Sequence, residues 1–336
     1  MHVIIDADNV AMHVIFDVDR SEICFSDREF CMKYINIRGS ENSVSVIGIG
    51  TMRIAGMNPS EVDTFVHTAL DNGINFFDHA DIYGGGKSEE VFGDLLAKQP
   101  ELRDKMFIQS KCGIRNGYFD FSKEHILNSV DGILKRLRTD HIDSLLLHRP
   151  DALMEPEEVE EAFSQLSKAG KVRYFGVSNH NPFQMELLKS KVTADLWSNQ
   201  LQMSIVHTPL IDAGLNVDME DDPAVMRDGG TLEYCRRKDM VVQVWSPLQI
   251  GYFGGVFLGH PDYAELNDML NALADEYHVS ADTIAYAWIL RYPGKMLVNT
   301  GTTKPDRIVS AAKAADITLT RKQWYDLYKA AGNRLP

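Results

Sequence analysis

The stretch Phe76-Phe77-Asp78-His79-Ala80-Asp81-Ile82-Tyr83-Gly84-Gly85-Gly86 decides how the chain folds. An apolar run from Ile74 to Phe77 is short enough for a buried strand and is stopped by a carboxylate. After the glycine triplet, Ser88-Glu89-Glu90-Val91-Phe92-Gly93-Asp94-Leu95-Leu96 has the cap and spacing of an amphipathic helix. Asp78 therefore closes a strand at its C-terminal end, and Tyr83 stands in the loop above it. In α/β sheets and barrels that edge is where ligands bind.

The same unit recurs in both directions. Upstream, Tyr34-Ile35-Asn36-Ile37-Arg38, the turn Gly39-Ser40-Glu41-Asn42, and Val44-Ser45-Val46-Ile47-Gly48-Ile49-Gly50 predict a strand, a turn and a second strand. Residues 60–72 predict a helix between Pro59 and Gly73. Downstream, apolar runs end at Lys111, His148, Ser178-Asn179, Gln200, Ser246 and Thr300-Gly301, with helical stretches such as 123–137, 156–169, 182–189 and 263–277 between them. With the runs at 46–50 and 74–77, eight strands alternate with helices. That alternation implies a parallel sheet, closing most naturally as an α/β (β/α)8 TIM barrel preceded by an N-terminal β-hairpin. A doubly wound sheet is the alternative, but no GxGxxG follows the first strand. The long intervals 206–230 and 248–263 follow strands and predict substrate loops or lids on the ligand face.

No linker divides residues 32–336, which read as one barrel domain. Residues 1–31 differ: His2-Val3-Ile4-Ile5-Asp6-Ala7-Asp8 is echoed by His13-Val14-Ile15-Phe16-Asp17-Val18-Asp19. The two runs could pair as a hairpin, and their aspartates could suggest a metal site. The expectation is an acidic extension outside the core, with Met32 as an alternative start and no catalytic role. A formal charge of -14 argues against nucleic-acid and anionic-membrane partners. Cys24, Cys31, Cys112 and Cys235 show no CxxC spacing, so reduced cytoplasmic thiols are expected, with no metal bound. No apolar run approaches the roughly 20 residues of a membrane helix.

The residues that terminate the strands carry the chemistry. Asp78 alone could be a helix cap, Lys111 a snorkelling lysine and His148 a satisfied core histidine. Four proton-handling groups on one rim, Tyr83 included, make coincidence a poor explanation. A free tyrosine titrates near pH ~10, too high for easy proton donation at neutrality. Lowering it to ~7 asks for roughly 4 kcal/mol, which one ammonium about 4 Å away supplies at an effective dielectric near 20. The expectation is that Lys111 is that cation, that Asp78 holds it protonated, and that His148 orients a carbonyl oxygen. Such a set protonates an oxygen while a hydride attacks the carbon.

The segments Asp78–Gly85 (DHADIYGG), 110–114 (SKCGI), 145–151 (LLLHRPD), 172–179 (VRYFGVSN) and 245–248 (WSPL) resemble, in order, those of the aldo-keto reductase superfamily, closest to its bacterial-type predicted oxidoreductase branch. The resemblance implies NADPH-dependent reduction of small aldehydes or ketones, with Asp78, Tyr83, Lys111 and His148 as a catalytic tetrad and Tyr83 as the acid. It also implies cofactor contacts. Ser178, Asn179 and Gln200 match positions that bond the nicotinamide carboxamide, and Trp245 the aromatic that stacks on it, commonly tyrosine or phenylalanine. Ser246 and Leu248 match the pyrophosphate loop. Gly50, Thr51 and Met52 lie at the ribose, with Arg53 reaching a phosphate. Gly301, Thr302, Lys304 and Arg307 resemble the adenosine-phosphate segment, where backbone N–H groups and a helix starting at Pro305 form an anion site. Gly301 and Ala311 stand where many members have lysine and asparagine, so NADH is an alternative to NADPH. A second function is open on the same scaffold, a cofactor-binding regulatory or interaction subunit like the potassium-channel β-subunit relatives. Neither the carbonyl substrate nor the oligomeric state is legible.

Overall fold

Runs that are apolar on both faces must be buried on both faces, and here they close on themselves. The structure, a computed structural model, describes residues 12–17, 20–25, 31–252 and 254–333, the first two stretches by backbone alone. Eight parallel strands form a closed barrel: Ile47–Gly50, Phe76–Asp78, Phe107–Cys112, Ile142–Leu147, Val172–Ser178, Leu196–Gln202, Val241–Trp245 and Lys295–Thr300. The last pairs with the first, Val298 opposite Ile47, so no edge is left open among them. The expected (β/α)8 barrel is what forms.

Most of the helices that wrap the outside have one apolar stripe. Pro59–Asp71 starts in a capping box in which Asn58 Oδ1 accepts from the Ser60 and Glu61 N–H groups at 3.0 Å, and Glu61 accepts from the Asn58 N–H at 2.8 Å. Its Val62, Phe65, Val66 and Ala69 are buried. The helix Lys87–Lys98 buries Phe92, Leu95 and Leu96 and lies close against Lys123–Leu137. At the other end of the chain, the Trp288 and Trp324 rings stack at 4.8 Å, and each indole N–H donates to the other's carbonyl.

Two expectations need correction. The run from Val44 to Gly50 is two strands, since Ser43–Ser45 pairs with Met32–Asn36 while Ile47–Gly50 enters the barrel. Val46 marks the switch: its N–H donates to Lys33 and its carbonyl accepts from Val298. The hairpin plugs the N-terminal pole, where Ile35, Ile37 and Val44 pack on Phe76, Phe107, Trp197, Val241 and Leu297. Met12–Asp17 pairs with Arg20–Phe25, which in turn pairs with Met32–Asn36. The run 2–8 lies outside the described residues. Cys31 is disulfide-bonded, against the expectation of four reduced thiols, whereas Cys112 and Cys235 are free and buried.

The long intervals carry structure of their own. Residues 206–230 include the helix Pro209–Leu215 and a turn at Asp222–Ala224, pinned from the C-terminus by Tyr328 donating to Asp212 at 2.7 Å and by Thr208 donating to Asn333. The second interval folds back on itself through a bridge between Gln249 and Val256. Among the described residues no helix is long and apolar enough to cross a membrane.

Candidate active site

Strand ends bring Asp78 and Lys111 to the C-terminal mouth on neighbouring strands, and the strand ending at Leu147 delivers His148 next to them. Tyr83 reaches the same point from the loop above Asp78, through a turn in which Gly84, Gly85 and Gly86 all take positive φ. A Cβ at Gly84 would meet the Ala55 side chain at 2.6 Å, so that turn needs glycine for space as well as for φ.

Fully buried Lys111 is the hub. Its ammonium donates to Asp78 at 2.8 Å, to the His79 carbonyl at 2.7 Å and to the Tyr83 hydroxyl at 3.2 Å. The same nitrogen lies 4.9 Å from the centre of the Tyr83 ring. Burial works against this ammonium, but Asp78 and then Tyr83 outweigh burial and hold its pKa above the ordinary lysine value. The snorkelling alternative is therefore excluded. His148 lies across from the phenol, ring centres 6.2 Å apart and planes at 82°. Burial, Lys111 and Arg149 together push its pKa well below 6.5, so the imidazole is neutral. Its Nδ1 is buried without a hydrogen-bond partner among the described residues, so it is not a satisfied core histidine.

The phenol departs from expectation in sign. Burial raises the Tyr83 pKa above 10, Lys111 pulls it down, Asp78 pushes it up again, and the balance stays above the ordinary value. Desolvation of the phenolate and the carboxylate behind the ammonium together outweigh the nearby positive charge. The neutral phenol is thus the resting form.

The other expected contacts line the mouth unequally. Asn179 takes φ 59°, its amide donates to Ser178 Oγ at 2.7 Å, and its oxygen accepts from the Trp245 indole at 3.3 Å. Gln200, on the neighbouring strand, lies among them: Ser178 donates its hydroxyl, and Asn179 its N–H, to the Gln200 backbone carbonyl. Thr51 is buried, and its hydroxyl donates to the Asp78 carbonyl at 3.1 Å and lies 2.9 Å from His79 Nδ1. Gly50 and exposed Met52 flank it. Ser246 sits in a turn at φ 52°, with Leu248 half-buried beyond it. Thr302 uses its hydroxyl to accept from the Lys304 N–H at 3.2 Å. Nothing lies within 4 Å of where a Cβ on Gly301 would stand.

Arg53 follows the first barrel strand, and Lys304 and Arg307 follow the eighth, its neighbour. All three are exposed and make no ion pair among the described residues. In a chain of charge -14, three exposed cations in the segments after two neighbouring strands fit a phosphorylated ligand. The carboxamide-matching amides at Asn179 and Gln200, with Trp245 beside them, fit a nicotinamide.

Two residues were missed. Arg149 carries its guanidinium 5.5 Å from the centre of Trp245 and 6.0 Å from that of Tyr252, a cation at the rim whose adjacency to His148 in sequence was the only clue. Gln109 donates to the Asp78 carboxylate at 2.7 Å, and nothing local in the sequence marks it.

A closed parallel barrel whose C-terminal rim assembles a carboxylate, an ammonium, a phenol and an imidazole is the framework of a carbonyl-reducing enzyme without a Rossmann fold. Residues 46–331 match the model of the Aldo/keto reductase family, and the chain belongs to that family. It is 38% identical over 304 residues to "Oxidoreductase YdhF" of Escherichia coli (strain K12), covering 88% of this chain and 95% of the relative. A "6-dehydroglucose reductase" of Agrobacterium fabrum is 36% identical, with 86% of this chain and 94% of that one covered. Among solved structures, an aldo-keto reductase from Klebsiella pneumoniae in complex with NADPH superposes with a TM-score of 0.67 at 25% identity, over 87% of this chain and 92% of that one.

Proposed function

We propose that the protein reduces the carbonyl of a small aldehyde or ketone to an alcohol, with NADPH as hydride donor and NADH as the weaker alternative, in the cytoplasm where both are supplied reduced. The chemistry resides in residues 32–336, and residues 1–31 take no part in it. The observation that carries the proposal is the single Lys111 ammonium shared between Asp78 and the Tyr83 hydroxyl. A reduced nicotinamide dinucleotide held at the mouth would supply the hydride for the carbonyl carbon. Tyr83 donates its proton to the substrate oxygen. An alkoxide is far more basic than a phenolate, so a phenol with a raised pKa still delivers, and being fully protonated at neutrality is an advantage. Lys111 then stabilises the phenolate left behind, held by Asp78 and the His79 carbonyl at the point where that charge appears. Neutral His148 has no other hydrogen-bond duty among the described residues and steadies the same carbonyl oxygen.

Asn179, Gln200 and Trp245 orient the nicotinamide, and Arg53, Lys304 and Arg307 take the phosphates. A rate enhancement needs the tetrad in contact, which a purely binding subunit does not; the assembled set favours the enzyme over the regulatory alternative. The test is a panel of aldehydes and ketones, sugar-derived carbonyls included, monitored by oxidation of NADPH and NADH. Turnover of at least one carbonyl, faster with NADPH, is expected. Tight binding of either dinucleotide with no turnover across the panel would favour the regulatory subunit instead.

A further inference from the structure

Barrel interiors of this kind are ordinarily packed with branched apolar side chains. Here the third strand contributes Gln109 and the seventh, directly opposite, contributes Gln243, and both are fully buried. The two primary amides face each other across the barrel as a cyclic pair. Gln109 Nε2 donates to Gln243 Oε1 at 2.7 Å, and Gln243 Nε2 donates back to Gln109 Oε1 at 2.9 Å. Gln109 spends its second N–H on Asp78 Oδ1 at 2.7 Å, and its oxygen also accepts from Ser144 Oγ at 3.1 Å. Every hydrogen-bonding position of that amide is used. On the far side, Gln200 Nε2 donates to Gln243 Oε1 at 3.0 Å.

The direction of this chain is dictated from one end. An ionised carboxylate only accepts, so Gln109 must turn its N–H toward Asp78. The cyclic pair then presents Gln243 Oε1 toward Gln200, which must answer with its own N–H. The Gln200 side-chain oxygen accepts no hydrogen bond among the described residues. We infer that Gln109 and Gln243 are positioning residues that transmit the polarity of Asp78 across the barrel, holding the Gln200 amide nitrogen toward Gln243 so that its side-chain oxygen is offered to the ligand at the mouth. The ligand group selected is an N–H donor, which the carboxamide of a nicotinamide provides and a methyl ketone in its place does not. The inference rests on the cofactor proposed above.

The test compares dissociation constants, read from tryptophan fluorescence quenching, for NADPH and for its reduced 3-acetylpyridine analogue. The wild type is expected to favour NADPH by at least about fivefold, the effect of one buried hydrogen bond. Gln243→Met, which fills the space without an acceptor, should bring the two constants within about twofold. Gln243→Glu keeps an acceptor toward Gln200 and should restore the preference, an outcome that packing alone does not produce. Should the methionine variant not fold, the paired replacement Gln109→Leu with Gln243→Met is read the same way. An undiminished preference in the methionine variants, or a glutamate variant no better than methionine, overturns the relay. A wild-type protein that binds neither compound overturns the cofactor and the relay with it.

Discussion

At the scale of single residues, the site depends on a buried charge that cannot stand alone. Lys111 and Asp78 are both buried and bonded to each other, and taking one away strands the other without water. Lys111→Met is therefore expected to cost about 3–5 kcal/mol in denaturant unfolding, and adding Asp78→Asn to it should recover a substantial part. If the double variant is no more stable than Lys111→Met, the cost lies elsewhere than in the orphaned carboxylate. Arg307→Ala should raise the dissociation constant for NADPH far more than that for NADH, since a 2′-phosphate is the group that distinguishes them; equal effects reject that contact. Asp78, Tyr83, Lys111 and His148 were legible because each ends an apolar run or sits just beyond one. The sign of the Tyr83 shift was not, because desolvation depends on neighbours such as His148 and Arg149 that only the fold assembles.

At the scale of elements, strand and helix positions could be read from periodicity, and junctions and cross-barrel pairs could not. The strands ending at Leu147 and Trp245 fall where the apolar runs place them, because a strand buried on both faces leaves its full length in the sequence. The switch at Val46 leaves no such mark, since a strand passing from hairpin to barrel stays apolar throughout. Gln109 and Gln243, 134 positions apart, meet only across the closed barrel. Close packing of two helices also hides in one letter. A Cβ on Gly93 would lie 2.1 Å from the Arg136 carbonyl oxygen and within 3 Å of Leu137 backbone atoms. Helix propensity alone would have Gly93→Ala stabilise by up to about 1 kcal/mol. Overpacking against rigid backbone is expected to prevail, with a net loss of about 1–3 kcal/mol in thermal or denaturant unfolding. A stabilised variant would show that the helices can part freely.

At the scale of the whole molecule, closure of eight strands puts the candidate residues at the strand ends on one face, which is why counting strands was enough to bring the candidate site together. The same burial sets the response to acid. His79 is held at about 3 and His180 at about 4, both chiefly by burial, and His148 is also lowered. A histidine depressed in the fold binds its proton sooner when unfolded, so its contribution is complete above about pH 6.5 and is lost as pH falls. Asp81, raised to about 7 by burial and Glu89, acts oppositely: its contribution is complete below the ordinary carboxylate range and fades as pH rises toward 7. His125 and His207 are lowered too, chiefly by burial, and Glu89 is raised by burial, so five histidines stand against two carboxyls. Unfolding free energy should fall between about pH 6.5 and about pH 4, at up to about 1.4 kcal/mol per pH unit for each net proton. A flat profile over that window would mean the histidines are hydrated in the folded state. The measurement that bears most directly on the proposed chemistry is the turnover of Tyr83→Phe beside its affinity for NADPH. Loss of carbonyl reduction by at least about a hundredfold is expected, with the dissociation constant unchanged within a few-fold. A phenylalanine variant that still turns over at close to the wild-type rate would contradict Tyr83 as the proton donor.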